Sequence, residues 1–530
     1  MNWGAVVRIL SALIPLSLLF AAPVKAEWRE ASSANFVVYA DDDEKNIRRF
    51  SEQLELYHLA MEALTASDLA EPSPSNRLTV FVVKNEREVR RLMGEGSRYV
   101  SGYYLPRASG SIAVVPRVKA GSGETDFAMI VLLHEYAHHF LISTSTLAVP
   151  RWFNEGGAEF FASAEFPSPG VISLGRPAMH RAGELLYAKD VKARELLDPD
   201  AYKEGARKGF DSFYGRSWLL YHYLTFEKSR SGQMRTYLDL LAKGTGALEA
   251  AQQAFGDFEK LDRELDRYLG KRMYSFTFKP GEQAVGPIAV RRLDEAEGAV
   301  MPLVIRSRNG VNKEQAAELV AEVREVAARY PQSAAVQTAL AEAEHDAGEM
   351  GRAIIAADRA IELDAGQRNA YVQKGYALFD EALDADGADA EEVDKAYKKA
   401  MAPFVALNRL ENDHPLPLIY NYRSFAERGI APPEQAVKGM ERAIELAPFD
   451  QSLRLNLAAY YIGTGNFERA RYHLRPIAFS PHANGLSERA RRVVEQIDAG
   501  IEGDDASQQL MALLASRAGD DEEGDGGAGE

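Results

Sequence analysis

Two distant strings in the C-terminal half of this chain are nearly identical: AIELDA at 360–365 and AIELAP at 443–448. Setting them in register also aligns Ala353 with Ala436, so each copy carries a pair of alanines seven residues apart. Seven residues are close to two turns of an α-helix, which puts both alanines on one face. Ala470 stands 34 residues beyond Ala436, with Leu457, Ala458 and Tyr461 ahead of it. Small residues at such spacing let paired helices approach closely. A unit of this size cannot bury its apolar face alone, so neighbouring units must stack. The copies fall at about 334–367, 368–416, 417–450 and 451–484, the second lengthened by an acidic insertion near 382–394. This half of the chain is thereby restricted to stacked helical hairpins.

The pattern resembles the tetratricopeptide repeat, a helix–turn–helix unit of the same length, although the consensus tryptophan is missing. The resemblance implies an all-α tetratricopeptide-repeat (TPR) solenoid over 314–500, with a concave groove that takes a protein partner. Residues 501–530 end in GDDEEGDGGAGE from Gly519, and are expected to form an acidic, partly disordered tail.

The N-terminal half has a different texture. Short apolar runs at 36–39, 78–83 and 111–116 read as strands, and 44–65, 86–93, 125–163 (broken near 144–150) and 209–271 read as mainly helical. An α+β domain over 27–275 follows, a small sheet plus helices. Residues 276–313, punctuated by Gly and Pro, read as a connector. The strand at 111–116 is a candidate edge strand, where an extended peptide would pair by its main chain, or a sheet strand with no such role.

The string that carries chemistry is HEYAHHF, 134–140. His134 and His138 are four apart, so a helix presents both imidazoles on one face to one metal ion, while Glu135 lies beside the first ligand. The approach FAMIVLL, 127–133, is apolar, as a buried helix requires. After a turn comes PRWFNEGGAEFF, 150–161, with Glu155 placed to complete a two-histidine, one-carboxylate set that leaves a position open for water. Glu159, one helical turn later, can accept a hydrogen bond from a ligand imidazole and orient it. Read alone, the two glutamates fit equally the solvated face of an ordinary helix. Beside H-E-x-x-H, and followed by small residues that permit close helix packing, they read as ligand and support.

HEYAH followed by WFNEGGAEFF resembles the peptidase-MA-like gluzincins, and the likeness covers roughly residues 30–275. It implies one Zn2+ per chain held by His134, His138 and Glu155, with Glu135 as the catalytic base. Nitrogen and carboxylate donors suit zinc among the divalent metals. Tyr214, in FYGRSWLLYHYL, resembles the tyrosine that assists the oxyanion in gluzincin aminopeptidases, although Arg216-Ser217 stands where that family has Lys-Gly. Its other reading is a packed aromatic. Nothing resembles the amino-terminus clamp of those aminopeptidases. His139 points about 100° away from His138 and reads as a supporting residue; His222 reads as core or substrate-side.

The opening residues carry Arg8, an apolar stretch from Ile9 to Ala22, and Val24-Lys25-Ala26, the pattern of a signal peptide over 1–26 cleaved after Ala26. The chain has no cysteine, hence no disulfide framework and no lipid anchor on an N-terminal cysteine. A periplasmic location follows as the expectation, with secretion as the alternative and no stable membrane span after cleavage. A net charge of −16 argues against a broad nucleic-acid surface. Two function classes remain. One is a zinc-dependent metallopeptidase hydrolysing peptide bonds, whose repeats dock a peptide or protein substrate or partner. The other is a catalytically inactive or marginal periplasmic scaffold or envelope assembly factor.

Overall fold

The computed structural model describes residues 27–515 apart from 68, 94–100, 119–122, 145–146, 148, 199–200, 203–210, 282–284, 385–388, 480–484 and 504. The expected signal peptide at 1–26, and 516–530 of the expected tail, lie outside the described residues.

Trp28–Ser32 and Phe36–Asp41 pair antiparallel, and Leu78–Val83 and Ile112–Pro116 extend the sheet in parallel. The crossover from Phe36–Asp41 to Leu78–Val83 runs through the helix Glu44–Thr65, started by Asp43, whose side chain accepts from the Asn46 amide. Side chains alternate across the strands. Phe36, Val38, Val80, Val82, Ala113 and Val115 join Leu54, Tyr57 and Met61 of that helix in the main core. Phe81, Val83, Ile112 and Val114 face the other way, against Val89, Met301 and Ile305. Buried on both faces, these strands read as continuous apolar runs.

Ile112–Pro116 is not an edge strand, contrary to the expectation. Tyr103–Leu105 pairs antiparallel along its outer side, giving the order 289–292, 28–32, 36–41, 78–83, 112–116, 103–105. A three-residue strand is too short for alternation to reveal it. The stretch 276–313, read as a connector, carries structure of its own. Phe276–Phe278 joins a second, antiparallel sheet with Gly123–Glu124, Glu165–Ser168 and Val171–Leu174. Ala289–Arg292 closes the first sheet beside Trp28–Ser32. The helix Glu295–Asn309 then packs on both halves, through Met301 and Ile305 on the sheet and Val300 and Leu303 on the repeats.

Beyond it the described chain is a run of helical hairpins, among them Ala334–Asp346 with Met350–Leu363, Pro415–Ala426 with Glu434–Leu446, and Gln451–Gly463 with Phe467–Ala478. Ala353, Ala360, Ala443 and Ala470 are fully buried, and Ala436 nearly so, as close helix pairing demands. The lengthened second copy ends in the long helix Ala390–Leu410, and Gly375 lies so close to Phe404 that a Cβ there would come within 2.5 Å of the ring. None of the described helices is long and apolar enough to cross a membrane.

The two halves meet side by side. Glu411 of the repeats accepts hydrogen bonds from the Ser73 hydroxyl (2.7 Å) and from the Ser75 amide and hydroxyl (both 2.9 Å). The Ala108 amide donates to Asp450 at 3.0 Å, and Phe449 stacks on His139 with centroids 4.6 Å apart.

Candidate metal centre

The helix Phe127–Thr144 carries His134 and His138, and Asp126 starts it by accepting from the Met129 amide. Its Leu132, Leu133 and Phe140 are buried, which fixes the helix against the sheet and turns the histidine face toward the next helix, Arg151–Ala162. That helix crosses close to a third, Phe213–Phe226, because Gly156 and Gly157 stand at the crossing. A Cβ on Gly156 would lie 2.4 Å from the Ser217 carbonyl oxygen, and one on Gly157 3.2 Å from the Tyr221 ring.

This packing brings Glu155, wholly buried, to the histidine pair. The Nε2 atoms of His134 and His138 are 3.1 Å apart, and Glu155 Oε2 is 3.5 Å from the first and 3.4 Å from the second. Donors held ~2.0–2.1 Å from a tetrahedral zinc ion stand ~3.3 Å from one another, so the three atoms fit that geometry. Among the described residues the two imidazoles are the partners of the Glu155 carboxylate, a buried negative charge where a shared cation is favoured. Among the described residues this trio is the one group of three or more such side chains arranged to hold a metal.

The field at this point favours positive charge. Burial by itself lowers the His134 pKa, but hydrogen bonding to Glu155 and Glu159 outweighs it and holds the imidazole up at about 10. Burial raises the Glu155 carboxyl, yet the two histidines pull it far below the usual carboxylate range.

No protein-family model matches the chain, and no curated protein matches it. Among solved structures it is similar to a thermophilic TPR protein from Thermus thermophilus, at 15% identity and a TM-score of 0.32, over 37% of this chain and 97% of that one.

Glu159 sits behind the histidine pair. Its Oε1 is 3.2 Å from His134 Nδ1 and accepts from Arg181 Nη2 at 2.6 Å, while its Oε2 is 2.6 Å from His180 Nε2. Arg181 also donates to Glu184 at 2.7 Å, and Glu184 accepts from the Gly215 amide at 2.9 Å. One chain of charges thus ties the His134 ring to the helix that bears Tyr214. His180, Arg181 and Glu184 escaped the sequence reading because they lie in short helical turns at 179–187, with no spacing that marks a site.

Tyr214 is half-buried near Glu155. Arg181 lies over its ring at 4.8 Å, and Arg151 donates to its hydroxyl at 3.4 Å. Burial, then the charge of Glu155, raise its pKa, so the phenol keeps its proton. Glu135, half-buried on the site helix, lies near enough to Tyr104 to raise the pKa of that phenol, behind the larger effect of burial. The other two histidines serve packing. His139 meets the Tyr104 hydroxyl at 2.6 Å and the Phe449 ring. His222 is enclosed between the Tyr268 hydroxyl (2.9 Å) and the carbonyls of Gly175 and Tyr274 (both 3.0 Å).

Proposed function

We propose that this protein is an exported, periplasmic zinc-dependent metallopeptidase of the gluzincin type, with a tetratricopeptide-like array that docks a protein substrate or partner. The observation that carries the reading is the convergence of His134, His138 and Glu155 at 3.1–3.5 Å, with both Glu155 oxygens otherwise unbonded.

Zinc held there supplies Lewis acidity toward water and a peptide carbonyl. Glu135, adjacent to His134 on the helix, takes the proton of the attacking water and returns it to the leaving amine. The protonated Tyr214 hydroxyl donates to the oxygen that gains charge in the tetrahedral intermediate. Glu159 holds His134 through Nδ1, which leaves Nε2 for the metal. The repeats supply length and surface for docking a polypeptide.

The test is the metal content of the purified whole chain by elemental analysis, beside Glu155→Ala. The expected result is about one zinc per chain, lost or sharply weakened in the variant. A folded chain that takes up no zinc after supplementation would overturn the peptidase reading. A scaffold without turnover is the second reading, favoured by the share of the chain given to helical hairpins. It predicts that Glu135→Gln leaves every measurable function intact.

A further inference from the structure

Where the repeats meet the end of the site helix there is a cavity of about 800 Å3, bounded by Ile142 and Ser143 on one side and by Arg454, Tyr472 and His473 on the other. Ile142 lies four residues past His138, on the same helical face and about 6 Å further along the axis. A second cavity of about 410 Å3 adjoins it, sharing Ile142 and Arg454. Its walls are mainly apolar, with Leu141, Phe153, Phe449 and Phe479 among them, and it also touches Asn154, the neighbour of Glu155.

Arg454 is 4% exposed. The other buried arginines among the described residues are matched: Arg216 by Asp190 and Asp266, Arg230 by Glu264. No described carboxylate pairs with Arg454, whose polar partner is the Tyr472 hydroxyl; burial lowers its pKa and Tyr472 alone opposes this. His473, also 4% exposed, presents a buried Nδ1 with no hydrogen-bond partner. Burial, then the charges of Arg454 and Arg469, hold its pKa down at about 4, so the ring is neutral. The remaining charges of this cavity are largely committed, Arg469 to Glu441 and Glu445 to Arg442. A guanidinium shut away from water without a counter-charge is costly, and an anion entering from outside removes that cost.

We propose that this joint is a specificity pocket that binds one carboxylate of a peptide at Arg454 and His473, with a neighbouring apolar side chain in the adjoining cavity. It rests on the peptidase reading for its role in substrate choice. Glu441, Glu445 and Glu468 on the wall repel a multiply charged anion, so a single carboxylate fits, from an Asp or Glu side chain or from a peptide C-terminus.

Binding is measured on the whole chain carrying Glu135→Gln, by fluorescence anisotropy with three short synthetic peptide libraries. The first is acetylated and amidated with one central Glu, the second has Gln there, and the third has Gln with a free C-terminal carboxylate. The Glu library, the free-carboxylate library, or both are expected to bind about tenfold tighter than the neutral one, which identifies the source of the carboxylate. Arg454→Met is expected to abolish the preference and to melt no lower than the parent, because it removes an unmatched charge. If that variant does not fold, Arg454→Lys carries the test: it keeps the charge, loses the planar fork, and must lose most of the preference. Equal binding of all three libraries, or a preference that survives at position 454, overturns the pocket. The two readings fail separately. Arg454-dependent binding by a chain whose wild type cleaves nothing keeps the pocket and removes the peptidase. Cleavage of all three libraries with equal KM does the reverse.

Discussion

Glu159 divides two oxygens among His134, His180 and Arg181, and so carries both the orientation of the His134 ring and the link to Glu184. Burial alone would raise its carboxyl, but His134, His180 and Arg181 hold it far down, so it remains a charged acceptor for the imidazole. A carboxylate in that place raises the ligand's basicity and fixes its tautomer. Glu159→Ala is expected to weaken zinc binding by roughly 10–100-fold, read by competition with a chromophoric chelator. Glu135→Gln, next to His134 and outside the proposed ligand set, is expected to keep full zinc affinity and lose roughly 10²–10⁴ in kcat on any peptide that is cut. Equal zinc affinity in Glu159→Ala and wild type would show that the His134–Glu159 contact does not tune the site.

At the scale of elements, the site depends on how closely the helix Arg151–Ala162 lies on Phe213–Phe226. Two adjacent glycines inside a helix cost roughly 1 kcal/mol each in propensity. Their return is contact between backbones, with Gly156 against the Ser217 carbonyl. Gly156→Ala is therefore expected to lower stability by about 1–3 kcal/mol and to reduce zinc affinity as well, since Glu155 precedes it on the same helix. Gly157→Ala meets the edge of the Tyr221 ring at 3.2 Å instead, and a side chain yields more readily than a backbone, so its thermal shift should be smaller. Thermal melts of the two variants check the order, and a reversed order would mean that the crossing is looser than these distances imply.

For the whole molecule, the joint between the halves turns on Glu411. Its carboxylate takes the Ser73 and Ser75 hydrogen bonds and pairs with Arg368 at 2.7 Å. Burial raises its pKa, but the serine donors outweigh this and hold it below the ordinary value of 4.5. Because the folded pKa is the lower one, the unfolded chain binds more protons on acidification. The contribution of Glu411 is complete above the unfolded value and is lost as pH falls through the folded one. Glu411→Ala removes the acceptor of these hydrogen bonds and is expected to cost about 1–3 kcal/mol, splitting calorimetric unfolding into two transitions at neutral pH. A single transition shifted only slightly would show that the halves are coupled elsewhere, through Glu295–Asn309.

Much of this was legible before any coordinates. The recurrence of Ala353, Ala360, Ala436, Ala443 and Ala470 announced helical pairing, because only a small side chain satisfies a close helix contact. H-E-x-x-H and N-E-G-G-A-E named residues that converge, since helical spacing is a local property that a string records directly. Other features needed the fold. Tyr103–Leu105 covers the expected edge strand, and 276–313 is drawn into both sheets, because strand pairing is a long-range choice that short runs do not encode. His180, Arg181 and Glu184 reach Glu159 and Gly215 only once three helices are packed. Arg454 is the one charged residue of the helix Gln451–Gly463, with no spacing that marks a site. That it is buried without pairing to a described carboxylate is a property of the packed fold, because sequence alone does not assign burial to an arginine.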